Sequence, residues 1–90
     1  MNSSIHANII KRYTVSATLS QNSYVAPYSY YGSTNLNVPE DYVVISIEAY
    51  QSNGSPIPAM HTVAADGHTA TGTAVSNTAQ VTFYVTVASL

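Results

Sequence analysis

Cysteine is absent from this chain, and so is tryptophan. Without cysteine there are no disulfides or thiolate metal sites to brace a small fold, and thiol usage gives no reading of the redox compartment. Charge is nearly as scarce. Lys11 and Arg12 are the basic residues, and Glu40, Asp41, Glu48 and Asp66 the acidic ones. Their 7% share lies far below the roughly 25% of ordinary soluble domains. Two adjacent basic side chains leave no footprint for a phosphate backbone, so nucleic acid is not an expected partner. No apolar run approaches the roughly 20 residues of a membrane-spanning helix, so no membrane insertion is expected. The first residues also lack the basic region and apolar stretch of a signal peptide.

What fills the composition instead is Ser, Thr, Asn and Ala, with tyrosine supplying eight of the nine aromatic residues. A disordered chain is poor in aromatic and β-branched residues, and this one is rich in both. Ninety residues suffice for one domain with a modest core. That core is short of bulk, with one Phe and three Leu in the whole chain. At about 25 cal/mol per Å² of buried apolar surface, Ala and Val in place of Leu and Phe weaken it. A homo-oligomer is therefore expected to restore the missing burial. Scarce charge and abundant Tyr also characterise surfaces that meet other protein chains.

From Lys11 onward the hydrophobic pattern has period two. Residues 1–10 show no clear period and read as an extension; residues 11–90 read as a single domain. From Lys11, the alternation of Tyr13, Val15, Ala17 and Leu19 with hydroxyl residues predicts a half-buried strand. Gln21-Asn22-Ser23 predicts a turn. A strand over Tyr24–Tyr31 follows, placed at a sheet edge because Pro27 cannot donate a ladder bond. Gly32 to Asp41 is the longest expected connection. Tyr42–Tyr50 predicts a central strand with Val43, Ile45, Ile47 and Ala49 inward.

Asn53-Gly54 is a strong hairpin signal. Beyond Pro56 and Pro58, strands are expected over Ala59–Ala65 and His68–Val75, joined by an Asp66-Gly67 turn. Gly72 inside the latter marks a bulge or a close backbone approach. The last strand, Gln80–Ala88, turns Val81, Phe83, Val85 and Val87 inward. Nothing has helical period. About six strands at short, turn-punctuated spacing predict an all-β fold, a small antiparallel β-sandwich of jelly-roll-like or Ig-like kind.

Catalytic and metal chemistry find little support. His61, Asp66 and His68 lie close enough for a histidine–carboxylate pair, but Asp66 belongs to a turn dipeptide, where Asp bonds its own backbone. There is no Gly-x-Ser-x-Gly elbow and no cysteine nucleophile, so no catalytic residues and no enzyme activity are expected. His61 and His68 around a carboxylate resemble half a zinc site, yet a structural site takes four protein ligands and a catalytic one three. No metal or cofactor is expected. Tyrosines are the most informative residues. Tyr24, Tyr28, Tyr30 and Tyr31 cluster, and Tyr42 and Tyr50 bracket the central strand. Such side chains serve as core, subunit interface or sugar platform. Tyr28, Tyr30, Tyr31 and Tyr50 are the candidate ligand or interface residues, with Tyr31 pointing away from the face of Tyr24, Tyr28 and Tyr30.

Three segments carry a resemblance: "KRYTVSATLSQNSYV" at the start, "VPEDYVVISIEAYQSNGS" in the middle and "NTAQVTFYVTVASL" at the end. From Tyr13 to Ala88 the chain resembles the C-terminal domain of tail-fibre, baseplate or receptor-binding proteins of bacteriophages and prophages of Gram-positive hosts. In that group a Pro–acidic turn leads into a "VISI" strand and a Val-rich strand ends the protein. The resemblance implies a β-sandwich head assembled as a homotrimer, displayed on the virion (tail or surface) beside other virion proteins, and acting extracellularly on host surface glycan. Such proteins usually carry a shaft before the head, whereas here ten residues precede the first expected strand, so the chain is expected to be either an excised domain or a small stand-alone virion protein. A cellular adhesin or carbohydrate-binding β-sandwich module is the alternative expectation.

Overall fold

The computed structural model describes residues 9–23, 29–66 and 69–90. They form eight strands: β1 (Ile10–Thr18), β2 (Ser20–Ser23), β3 (Ser29–Asn35), β4 (Tyr42–Gln51), β5 (Pro56–Ile57), β6 (Ala59–Val63), β7 (Ala70–Ser76) and β8 (Gln80–Ser89). All pairings are antiparallel. One sheet, sheet A, has the order β1-β8-β4-β5, and the other, sheet B, the order β2-β3-β7-β6. The protein is a small antiparallel β-sandwich, as its alternation predicts. Among the described residues no helix is long and apolar enough to cross a membrane.

The core is asymmetric, large residues on one sheet meeting small ones on the other. β8 lies between β1 and β4 and contributes Val81, Phe83, Val85 and Val87, all buried. Opposite, β7 contributes Ala70, Gly72 and Ala74, with the buried Ser76 hydroxyl accepting from the Thr78 backbone N–H at 3.1 Å. Where a side chain at Gly72 would stand, Leu36 and Phe83 already sit. This is the close approach that a glycine within a strand signals; the pairing of β7 with β3 shows no bulge. The two buried leucines lie just outside strands. Leu19 follows β1 and packs against Gly32, and Leu36 follows β3 and packs against Gly72. The connections between the sheets thus supply bulk that the strands lack.

Tyr13 ties one of these plugs down. Its hydroxyl donates to the Leu36 carbonyl at 2.7 Å, and burial raises the phenol's pKa above its ordinary value. Tyr13→Phe removes the donor and leaves that carbonyl a partner short. A loss of about 1 kcal/mol of unfolding free energy is expected in urea titration.

Three expectations are corrected. In β4 the inward residues are Tyr42, Val44, Ile47 and Ala49, whereas Val43 and Ile45 are exposed at 39% and 51%. Val44 pairs with Val87 and Ser46 with Thr86, leaving Ile45 as an extra residue in a bulge. One extra residue inverts the alternation, so the two halves of β4 turn opposite parities to the core. Second, β2 occupies the expected turn at Gln21–Ser23, and β3 runs through Asn35, into the expected connection. The Ser33 and Thr73 hydroxyls bond across β3 and β7 at 2.8 Å, so these turn-forming residues serve a strand. Third, β3 is internal, between β2 and β7; the edge inferred from Pro27 does not hold for residues 29–31. Tyr24, Ala26, Pro27 and Tyr28 lie outside the described residues.

The remaining turns follow their residue chemistry. Gly54 has φ +88°, and the Asn53 side chain accepts from the Ser55 N–H at 2.9 Å. Asp66 accepts from the Thr69 N–H at 2.8 Å and from its hydroxyl. The turn role expected for Asp66 is the one observed. Gly67 and His68 lie outside the described residues, and His61 is half-buried on β6.

Candidate functional site

Among the described residues the outer face of sheet A carries the most concentrated side-chain chemistry. Alternation that turns Val81, Phe83, Val85 and Val87 inward turns Thr82, Tyr84 and Thr86 outward. On one side β1 presents Arg12, and on the other the second half of β4 presents Glu48 and Tyr50. Register brings them together: Tyr84 lies opposite Glu48, and Thr82 opposite Tyr50. Arg12 lies opposite Thr86 and leans along the sheet. Its guanidinium stacks 4.8 Å from the Tyr84 ring centre and donates to Glu48 Oε1 at 2.8 Å.

Tyr50 completes the group. Its ring meets Tyr84 edge-on, with centres 5.3 Å apart and planes at 88°, a preferred aromatic geometry. The Tyr50 hydroxyl donates to Glu48 Oε1 at 3.3 Å. The neighbouring carboxylate, assisted by desolvation and this bond, raises the Tyr50 pKa above the ordinary tyrosine value. A tyrosine phenol is protonated at neutral pH, and so acts here as a donor. A hollow of about 490 Å³ opens here, lined by Arg12, Tyr50, Gln51, Thr82, Tyr84 and the β4–β5 turn. Gln51 is held by Asn77, its amide donating at 2.6 Å.

Both ends of the ion pair are about half exposed, so it adds little to stability. It does fix Arg12 over Tyr84. The result is a shallow aromatic surface flanked by donors and acceptors, with the positive charge of Arg12 balanced by Glu48. Such a surface suits an uncharged, hydroxyl-rich ligand with an apolar ring face.

The chain matches no known family model, no curated protein and no solved structure.

The four tyrosines singled out from sequence do not assemble into one site. Tyr50 belongs to the hollow on sheet A. Tyr31 is 51% exposed on the outer face of sheet B, beside Pro58, Met60 and Val75 around a smaller hollow of about 320 Å³. Tyr30 is half-buried and packs against the core, and Tyr28 lies outside the described residues. Tyr84, Arg12 and Glu48 escaped the sequence reading. Tyr84 was nonetheless signalled, as the one large residue on the outward parity of the cleanest strand. Among the described residues no cluster of three potential metal ligands occurs.

Proposed function

We propose that this protein is a non-enzymatic structural or receptor-binding module of a phage or prophage tail particle, one that takes a host surface saccharide in the Tyr50–Tyr84 hollow. It works as a homo-oligomer among other virion proteins, outside the cell. The observation carrying the saccharide reading is the Tyr50–Tyr84 pair held beside the Arg12–Glu48 ion pair. Pyranose rings offer apolar C–H faces to aromatic rings and hydroxyls to charged and amide groups, and this hollow has both kinds of partner. The particle assignment rests on the sequence resemblance, together with a composition poor in charge and rich in tyrosine, as interface cores are.

The test is a glycan array followed by calorimetry on the strongest hit. Tyr84→Ala is expected to weaken that binding about tenfold or more, the roughly 1.4 kcal/mol of an aromatic anchor. Tyr31→Ala, on the opposite sheet, should leave it unchanged. Equal losses from both substitutions, or an array with no hit, would refute the saccharide site.

A further inference from the structure

We infer that β1 is the contact strand of a twofold dimer, in which the β1 strands of two copies pair antiparallel and join two A sheets into one. Sheet edges expose unpaired backbone groups and are ordinarily shortened, bulged or interrupted by proline. Among the described residues the other edges are treated in that way. β5 has two residues, Pro56 and Ile57, with Pro58 next. β2 has four residues and an irregular register. β6 has five, entered from Pro58. The part of β4 that β5 leaves open is broken by the bulge at Ile45. Among the described residues β1 alone is a long and regular edge: nine residues, IKRYTVSAT, all in unbroken register with β8 and free of proline, glycine and bulges. Among the described residues no strand pairs with its outer edge.

The occupant follows from charge and burial. Only the first part of β1 is charged, at Lys11 and Arg12. Only a register centred on Thr14 pairs all nine residues of β1 with those of a second copy. It sets Lys11 against the partner's Ala17 and Arg12 against the partner's Ser16, so no like charges oppose each other. Tyr13 falls opposite the partner's Val15, an aromatic–β-branched pair of the favourable kind, and symmetry repeats it. The inner row of β1 is also incomplete. Tyr13, Val15 and Ala17 are half-buried, while the neighbouring row on β8 is fully buried. A second copy extends the layer that covers them. A threefold ring built by strand addition would instead require β1 to meet a different edge, and the others are too short or, on β4, broken by a bulge.

Antiparallel addition keeps like faces together, so both Tyr50–Tyr84 hollows would open on one side of the joined sheet. Two weak sites presented side by side raise avidity on a repetitive polymer without any new contact. The dimer itself stands whether or not the hollow binds saccharide.

Light scattering, with no ligand present, should give twice the 9.6 kDa chain mass. Thr14 is exposed on the outer face, so a new side chain there is accommodated in the single chain. Thr14→Lys sets two ammonium groups opposite each other at the symmetry axis and should give one chain mass with an unchanged circular dichroism spectrum. Thr14→Glu should do the same, and mixing the two variants should restore the doubled mass. Because the chain lacks cysteine, Thr14→Cys offers a clean cross-link: mild oxidation should give a covalent dimer, and Ser33→Cys on sheet B should not. One or three chain masses for the unmodified protein, or a doubled mass persisting in Thr14→Lys alone, would overturn the inference.

Discussion

Phe83→Ala is expected to lower the unfolding free energy by about 3–5 kcal/mol, the usual range for emptying a buried aromatic site. Phe83 is fully buried and is the largest side chain in the core. It lies on β8, the strand that holds β1 on one side and β4 on the other. Its ring reaches across to the backbone of Gly72 in the opposite sheet. The surrounding residues are mostly Val and Ala, short and stiff, so the cavity cannot be closed by a neighbour changing rotamer. A chain of this length is stable by roughly 5–13 kcal/mol in total. The substitution therefore removes a large share of that margin, and the midpoint of thermal unfolding should fall by on the order of 20 °C. Urea titration checks it: the midpoint should drop while the slope stays constant. A loss under about 1 kcal/mol would mean that Phe83 is not the centre of the core.

The reason so much rests on one ring is visible in the sequence, and so is the fold class. β8 could be read residue by residue, because Val81, Phe83, Val85 and Val87 alternate with Thr82, Tyr84 and Thr86 without interruption. β4 could not. Its run Val43-Val44-Ile45 is apolar on both parities, so a bulge there leaves no trace in the pattern, and strict alternation gives the wrong phase before Ile47. The β2–β3 region failed for another reason. Ser and Asn favour turns through local side-chain bonds, but here the ladder between β2, β3 and β7 claims the backbone first. Gly32 reads as the start of a loop, yet it is a strand residue kept small by Leu19.

The site was half legible for a related reason. Tyr50 stood out as a tyrosine closing an apolar strand. What makes it a site is the set of side chains facing it from β1 and β8, and that depends on strand order. No spacing along the chain brings Arg12, Glu48 and Tyr84 together. Sheet order β1-β8-β4 does, by laying residues 36 positions apart in sequence within hydrogen-bond reach. Tyr30 and Tyr31 show the converse. Adjacent residues along a strand turn to opposite faces, which is why Tyr30 packs on the core and Tyr31 faces outward.

Gly72 and Leu36 should behave as a coupled pair, and the sign of the coupling tests how the two sheets meet. A methyl group added at Gly72 would lie 2.7 Å from Leu36 Cδ2 and 3.1 Å from Phe83 Cε1. Leu36 is fully buried, so its side chain has nowhere to move. Alanine in a strand gains about 0.5–1 kcal/mol over glycine from backbone entropy, but overpacking costs about 1–3 kcal/mol. Gly72→Ala alone is therefore expected to destabilise. Leu36→Ala alone should cost about 2–5 kcal/mol through the cavity it leaves. In the double variant the added methyl group enters that cavity instead of colliding. The loss should then fall short of the sum of the single losses by about 1–2 kcal/mol, within the range seen for residues in contact. Strict additivity in denaturant titrations would mean that Leu36 does not sit over Gly72. The close approach of the sheets would then need a different cause.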